Sequence, residues 1–290
     1  MTIVITGATG QLGRLVVEAL LDQDVPAEQI VAAGRDLSKL DDLAERGVQV
    51  RRIDFDDVDS LRQAFAGAEK VLLVSGTAVG QRIEQHRNAI EAAKESGAKL
   101  IAYTSIAGAD QTRILLAADH QGTEEILRKS GVPFMFLRNS LYLDNYTGQL
   151  ASYVQHGSVL GSAGDGRLSA ATRADLAQAT AAALLREDQA GKIYELGGDV
   201  PFTLGELAEE VSAATGTPVN YQDLPVEQYA QVLTQVGLPE PVAAVFADSD
   251  LGIARGDLHV TSGDLSDLLG RPATTMREAI RVAAAASNNA

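Results

Sequence analysis

Three glycines follow a short apolar run in the N-terminal stretch Ile3-Val4-Ile5-Thr6-Gly7-Ala8-Thr9-Gly10-Gln11-Leu12-Gly13. The β-branched residues predict a strand, and the apolar period of residues 12–20 predicts an amphipathic helix directly after the glycines. Gly7 permits a tight turn, Gly10 lets the backbone approach a phosphate, and Gly13 lets the helix pack against the strand. The helix N-terminus adds free N–H groups and partial positive charge. This pattern favours a pyrophosphate site for a dinucleotide over an ordinary strand-to-helix turn, with these residues in it: Gly7, Thr9, Gly10, Gln11, Leu12 and Gly13.

The first 137 residues alternate apolar runs with helical patterns. Strands are predicted at Ile3–Thr6, Ile30–Gly34, Val48–Ile53, Lys70–Val74, Leu100–Thr104 and Phe134–Leu137, and helices near 11–22, 37–45, 58–65, 82–96 and 119–130. Such alternation indicates βαβ crossovers and a parallel sheet that is covered on both faces. The predicted fold is α/β, a Rossmann-like doubly wound sheet with strand order 3-2-1-4-5-6 and a ligand at its carboxyl edge.

The regular alternation of apolar runs and helical patterns ends after Asn139. A tyrosine-rich segment and the glycine-rich stretch 157–166 come first, and a helix is predicted over 173–186. One more strand is predicted at Ile193–Leu196, with helices near 203–214, 225–236, 239–253 and 275–285. We therefore divide the chain into a dinucleotide-binding domain, 1–140, and a smaller, mostly helical substrate lobe, 141–290. No proline-rich linker separates them, so we expect a shared core.

Composition narrows the classes of partner. The 290 residues carry 24 basic and 39 acidic side chains, a formal charge of −15, which disfavours nucleic acid and anionic membranes. The chain has no cysteine, and the scattered His86, His156 and His259 have no metal-ligand spacing, so no metal is expected. No apolar run is long enough to span a membrane and no secretory signal is recognised, which predicts a cytoplasmic protein.

The end of the second predicted strand indicates which dinucleotide binds. NAD sites usually place an acidic residue there, whereas this chain has Arg35, whose guanidinium suits a 2′-phosphate. Lys39 lies one helical turn further and adds a second positive charge, while Asp36 between them is expected to cap the next helix. The pattern favours NADP over NAD; the alternative for Arg35 is a solvated charge.

Two further pairs follow predicted strands at the same edge. Asp54 and Phe55 come after the third strand, where a carboxylate can accept from the adenine amino group and a ring can flank the base. An acidic turn is the alternative. Ser75 and Gly76 end the fourth strand, and a small pair there lets the backbone pass beneath the ribose. We predict that all four residues border the cofactor.

The helix after the fifth strand lacks the usual proton-transfer pair. Short-chain dehydrogenases that act on alcohols carry Tyr-x-x-x-Lys there, and the Lys lowers the pKa of the Tyr. This chain has His120 and Glu124 at those positions. Alcohol–ketone chemistry is therefore disfavoured, and hydride transfer to an electron-poor acceptor such as a quinone is favoured. His120 becomes the candidate acid or substrate ligand; a half-exposed helix histidine is the alternative.

Tyr142 and Tyr146 lie four residues apart, hence on one helix face if the segment is helical, and could stack on a flat aromatic substrate. Packing between the lobe and the sheet is the alternative role for this pair.

Several stretches spread over most of the chain resemble NmrA-like atypical short-chain dehydrogenases. They are Gly7–Gly13, Val79–Arg82, Gln85–Asn88, Ile101–Ser105, Leu137–Asn139, Gly164–Gly166, Ala171–Asp175, Tyr194–Leu196 and Ala247–Asp250. The resemblance implies NADPH along the glycine loop and a quinone near Asn139 and Tyr142. It implies a quinone reductase that transfers hydride directly, without flavin. The same family includes triphenylmethane dye reductases and non-catalytic redox sensors that bind NADP and a protein partner, and both remain alternatives.

Overall fold

A computed structural model describes residues 1–76, 78 and 80–287 of this chain. Val79, in one of the stretches that carry the resemblance, lies outside the described residues. The strands are β1 (Ile3–Ile5), β2 (Ile30–Gly34), β3 (Gln49–Arg52), β4 (Lys70–Leu73), β5 (Leu100–Ile106), β6 (Phe134–Asn139), β7 (Ser158–Gly161), β8 (Ile193–Leu196) and β9 (Asn220–Asp223). The helices are α1 (Gln11–Asp22), α2 (Asp41–Glu45), α3 (Val58–Phe65), α4 (Arg82–Glu95), α5 (Ala117–Ser130), α6 (Asp144–Thr147), α7 (Leu150–His156), α8 (Arg173–Leu185), α9 (Leu204–Thr215), α10 (Val226–Gln235), α11 (Glu240–Arg255), α12 (Asp264–Leu269) and α13 (Met276–Ser287).

Seven parallel strands of the described chain form the central sheet, in the order β3-β2-β1-β4-β5-β6-β8. The order predicted for the first six strands is confirmed, and β8 extends the sheet beside β6. Strand β6 is longer than predicted because its polar end, Arg138 and Asn139, pairs with Glu195 and Leu196 of β8. The order reverses between β1 and β4, so a crevice opens there at the carboxyl edge.

Alternating residues of the strands supply two separate cores. Ile3 and Ile5 face one side, where Val16 of α1 and Leu176 of α8 cover them. Val4 faces the other side, in a cluster that includes residues of α3, α4 and α5. Because every residue of β1 is buried, the strand reads as one continuous apolar run, which is typical of a parallel sheet covered on both faces.

The second half of the chain both returns to the sheet and builds a lobe of its own. Helix α8 packs on α1, and β8 joins the sheet, which confirms the strand predicted at Ile193–Leu196. The lobe has a further apolar cluster around Leu207, Val211 and Ile280. It is not only helical, because β7 and β9 pair in parallel as a small second sheet. None of the described helices combines the length and apolar character that crossing a bilayer requires.

Candidate cofactor and acceptor site

The glycine loop forms a cradle with little room for a side chain at Gly10 and none at Gly13. Gly7 has φ +63°, and the Gly10 N–H donates to the Gly7 carbonyl at 2.9 Å. A Cβ on Gly13 would lie 2.4 Å from the Gly7 oxygen, and one on Gly10 would lie 3.2 Å from it. Helix α1 starts from Gly10 without a capping side chain among the described residues and with no acid in its first turn. This arrangement fits a phosphate group, because the first N–H groups of α1 stay available to an anion.

A cavity of about 530 Å³ opens over this loop at the carboxyl edge of the sheet. It brings together most of the predicted cofactor residues, namely Gly7, Thr9, Gly10, Gln11, Leu12, Gly13, Arg35, Asp54, Phe55, Ser75 and Gly76, and also Tyr142. Lys39, His120 and Asn139 are not part of its lining. The other lining residues were not predicted as cofactor contacts; they are Gly34, Ile53, Asp56, Val74, Ala78, Gln85 and Arg173.

Arg35 is the basic side chain at the end of β2 that reaches this cavity. It is exposed, so its guanidinium is hydrated and available to a phosphate. Asp36 turns away and caps the following turn, accepting from the Ser38 N–H at 3.2 Å and from its hydroxyl at 2.7 Å. This confirms the predicted capping role of Asp36. Lys39 is exposed outside the cavity lining, and its backbone carbonyl accepts from Arg14 at 3.0 Å.

Asp54 and Phe55 form the wall after β3. One oxygen of Asp54 accepts from the Asp56 N–H at 3.1 Å, which closes a turn of the acidic loop, the alternative to an adenine contact. The Phe55 ring meets the His86 ring edge to face, with centroids 6.1 Å apart, and the Phe55 carbonyl accepts from Asn88 at 3.0 Å. Helix α4 therefore fixes the position of this wall.

His86 holds the loop after β4. The Gly76 N–H donates to His86 Nε2 at 3.0 Å. The Thr123 hydroxyl donates to the Asp119 carbonyl at 2.9 Å, so Thr123 Oγ1 accepts from His86 Nδ1, also at 2.9 Å. Burial and the nearby Arg82 lower the pKa of His86 to about 3, so the ring stays neutral as this pattern requires. From the sequence, His86 was known only as a scattered histidine and as part of the stretch Gln85–Asn88 that carries the resemblance.

His120 and Glu124 lie in separate buried networks behind the cavity. His120 Nδ1 is 2.8 Å from the Tyr103 hydroxyl, and burial, with the charge of Arg82, lowers the pKa of His120 to about 3. Both Glu124 oxygens bond to Arg138, at 2.9 and 2.8 Å. A neutral, 5% exposed imidazole is poorly placed to act as an acid, so the geometry gives no support to the predicted role of His120.

Asn139 and Tyr142 lie where β6 leaves the sheet. Asn139 is buried, and neither polar atom of its side-chain amide has a hydrogen-bond partner within the described part of the chain. Tyr142 lines the cavity with Arg173 over its ring. Tyr142 precedes α6, so it does not share a helix face with Tyr146, which instead packs against Phe202 at 6.2 Å. The expectation that the two tyrosines share one helix face is wrong because Tyr142 bridges to Ala171.

The doubly wound sheet and its glycine cradle define a Rossmann-like protein of the kind that binds dinucleotides. The chain belongs to the NmrA-like family, whose model matches residues 1–253. It is 46% identical to quinone oxidoreductase 2 of Escherichia coli strain K12 over 278 residues, or 96% of this chain and 97% of the relative.

Solved structures are similar over nearly the whole chain. The NADPH-dependent quinone oxidoreductase from Escherichia coli, complexed with NADPH, superposes with a TM-score of 0.93 at 46% identity and covers 96% of this chain and 98% of its own. Triphenylmethane reductase from Citrobacter sp., complexed with NADP(H), superposes with a TM-score of 0.92 at 39% identity and covers 97% of this chain and 100% of its own.

Proposed function

We propose that this protein is an NADPH-dependent quinone reductase that passes a hydride directly from nicotinamide to the acceptor, without flavin. The observation that carries the proposal is one continuous cavity, which joins the uncapped start of α1, the Arg35 guanidinium and Tyr142. The E. coli quinone oxidoreductase, 46% identical over nearly the whole chain, supports the same assignment.

Different lining residues contact different parts of the cofactor. The first turn of α1, beside Gly10, binds the pyrophosphate, and Arg35 binds the 2′-phosphate. Asp54 and Phe55 border the adenine, while Ser75 and Gly76 border the ribose. Bound NADPH supplies the hydride.

The acceptor is proposed to lie beside Tyr142, near the unpaired amide of Asn139. No hydrogen bond of ordinary length fixes this amide, although it lies near enough to Tyr142 to lower the pKa of that hydroxyl, and a ligand oxygen would give it a partner. A quinone suits this site because it accepts a hydride without prior protonation, so the Tyr-x-x-x-Lys pair that alcohol chemistry uses is dispensable. The division into a cofactor domain, 1–140, and a substrate lobe, 141–290, belongs to the same proposal.

A reductase of triphenylmethane dyes is the second candidate, because the Citrobacter enzyme superposes almost as closely. The experiment that separates the candidates measures oxidation of NADPH and NADH with a panel of quinones, dyes and aldehydes. We expect rapid turnover of simple benzoquinones with NADPH. Tight NADP binding without turnover of any acceptor would instead identify a redox sensor.

Arg35→Ala should weaken NADPH much more than NADH. The lost contact is a charge-assisted bond to a phosphate, so we expect about a 10- to 150-fold increase in the Kd for NADPH. Calorimetric titration with both dinucleotides measures the difference. Arg46→Ala, which removes another exposed guanidinium outside the cavity lining, is the control. Equal losses for NADH and NADPH in Arg35→Ala would show that Arg35 does not contact the 2′-phosphate.

His120→Ala should lower kcat by less than about tenfold, far below the roughly 10²–10⁴-fold effect of losing an essential general acid. Its main effect should be on stability, because the Tyr103 hydroxyl loses its partner in the core. Steady-state kinetics and thermal unfolding separate the two effects, with the exposed His156→Ala as the control. A thousandfold drop in kcat of a well-folded variant would identify His120 as the proton donor.

A further inference from the structure

Two side chains from different elements meet at the acceptor end of the cavity. Tyr142 follows β6, and Arg173 is the first residue of α8. Both line the cavity that holds the glycine loop, and the guanidinium carbon of Arg173 lies 4.3 Å from the centre of the Tyr142 ring. A cation at this distance over an aromatic face is attracted to it, so the pair forms one unit.

The position of Arg173 is fixed from three sides. Its Nη2 donates to the Asn145 side-chain oxygen at 2.8 Å, and its Nη1 lies 3.7 Å from Asp144 Oδ1. Its backbone N–H donates to Asp144 Oδ2 at 2.8 Å. Thr172 caps α8 by accepting from the Asp175 N–H, so the guanidinium also lies at the positive end of a helix. A charge held in this way can stabilise a developing anion without reorganising.

We propose that Tyr142 and Arg173 take the place of the absent Tyr-x-x-x-Lys pair. Tyr142 donates its hydroxyl hydrogen to a quinone oxygen, and Arg173 stabilises the negative charge that develops there and on Tyr142. The inference rests on the proposed quinone reductase function. Tyr142 is the catalytic residue, and Arg173 acts through it.

The chemical step balances without another reactant. The nicotinamide C4–H bond breaks, and the hydride, with its two electrons, forms an O–H bond at one quinone oxygen. The other oxygen takes the Tyr142 proton, which completes the hydroquinone. A proton from solvent then restores the Tyr142 hydroxyl, because its side chain lines the cavity and is itself partly exposed. NADPH is oxidised and the quinone is reduced.

The charges around Tyr142 agree with this role. Burial raises the pKa of Tyr142, so the hydroxyl keeps its proton until the acceptor becomes negative. The neighbouring Asn139 and the charge of Arg173 oppose that rise, whereas Asp144 adds to it. Without Arg173, Tyr142 would be a weaker acid, and the negative charge on the quinone oxygen would lose the stabilising guanidinium.

The test compares Tyr142→Phe, Arg173→Gln and Arg173→Lys on a series of benzoquinones with increasing numbers of methyl groups. Methyl groups make the quinone a weaker acceptor that needs more help from the site. We expect Tyr142→Phe and Arg173→Gln to lower kcat by about 10- to 100-fold on the most methylated quinone. The loss on unsubstituted benzoquinone should be several-fold smaller. Arg173→Lys, which keeps the charge, should recover part of the rate.

A second readout does not depend on turnover. 4-Nitrophenol is a flat phenol whose visible spectrum differs between its neutral and ionised forms. Bound to the wild-type protein with NADP⁺, it should show a larger ionised fraction than in solution at the same pH. Arg173→Gln should abolish that increase, and Arg167→Gln, an exposed arginine paired with Glu206 in the lobe, should retain it.

The outcomes separate this inference from the proposed function. Wild-type protein that reduces no quinone would overturn the proposed function itself. Wild-type turnover with unchanged kcat in both Tyr142→Phe and Arg173→Gln would overturn the inference alone. A loss of equal size on every quinone, with no change in the nitrophenol spectrum, would also overturn it and indicate a merely structural contact.

Discussion

Gly10→Val should abolish dinucleotide binding and leave the fold nearly intact. The backbone of Gly10 has φ −96°, which a β-branched residue can adopt, so the substitution imposes no left-handed conformation. The new Cβ would lie 3.2 Å from the Gly7 carbonyl, and its methyl groups would occupy the space over the first turn of α1. Two or three charge-assisted bonds to the pyrophosphate would be lost, which weakens binding by at least about a thousandfold.

Calorimetric titration with NADPH measures the loss, and circular dichroism with thermal unfolding verifies the fold. Gly205→Val is a matched control, because Gly205 also lies in the first turn of a helix, α9, and its Cβ would meet only Thr203 Oγ1 at 3.5 Å. That variant should bind NADPH like the wild type. A normal isotherm for folded Gly10→Val would refute the assignment of this loop.

The sheet could be predicted from sequence because its signals are local. Every residue of β1 is buried between two helix layers, so the strand appears as a plain apolar run. The same holds for β2, and each such run is followed by a helical pattern. Right-handed crossovers then leave few possible strand orders. Even β8, which lies beyond the regular alternation of strands and helices, could be predicted with its bounds, Ile193–Leu196.

The small sheet of the lobe escaped prediction because its signal is not local. Strand β9, Asn220–Asp223, is polar and mostly exposed, so it shows no alternation of apolar residues. Its partner β7 lies in a glycine-rich stretch that reads as a loop. The pairing depends on α9, which packs on both strands, and such tertiary contacts override weak β propensity.

The candidate site likewise contains residues that local sequence predicts and residues that only tertiary contacts bring together. Gly7, Gly10 and Gly13 lie close together in the sequence, so their roles at a phosphate site could be predicted from their spacing alone. His86 and Arg173 act through partners in other elements, Gly76 and Tyr142, so only the tertiary fold brings them to the site. Both had one available signal, because each lies in a stretch that carries the family resemblance.

Glu124 stands at the position of the lysine in the Tyr-x-x-x-Lys pair of alcohol-converting short-chain dehydrogenases. In this fold it is part of a buried ion-pair network. Its two carboxylate oxygens are fully bonded: Oε1 accepts from Ser105 at 2.7 Å, and Oε2 accepts from Arg128 at 2.9 Å, in addition to the bonds from Arg138. Arg138 also contacts Asp110 and Glu195, each at 2.9 Å. This network joins β5, β6, β8 and α5 directly beside Asn139. Its role is therefore to fix the carboxyl edge of the sheet at the end of the site where we propose that the acceptor binds.

Glu124→Ala should lower the free energy of unfolding by about 3 kcal/mol, because it leaves Nε and Nη2 of the 2% exposed Arg138 without acceptors, while Nη1 keeps Asp110 and Glu195. Urea unfolding followed by circular dichroism measures the loss. The adjacent Glu125→Ala is the matched control on the same helix; its carboxylate is exposed and pairs with Lys129 at the surface, so the midpoint should hardly move.

The double variant Glu124→Leu with Arg138→Met tests whether the cost comes from an unpaired charge. It should be more stable than Glu124→Ala, because removing both charges leaves no buried cation to compensate. If Glu124→Ala and Glu125→Ala instead unfold at the same urea concentration, the bonds of Glu124 contribute nothing beyond a surface pair. If the double variant is the least stable, the geometry of the ion pair holds the edge of the sheet, and its replacement by apolar packing does not.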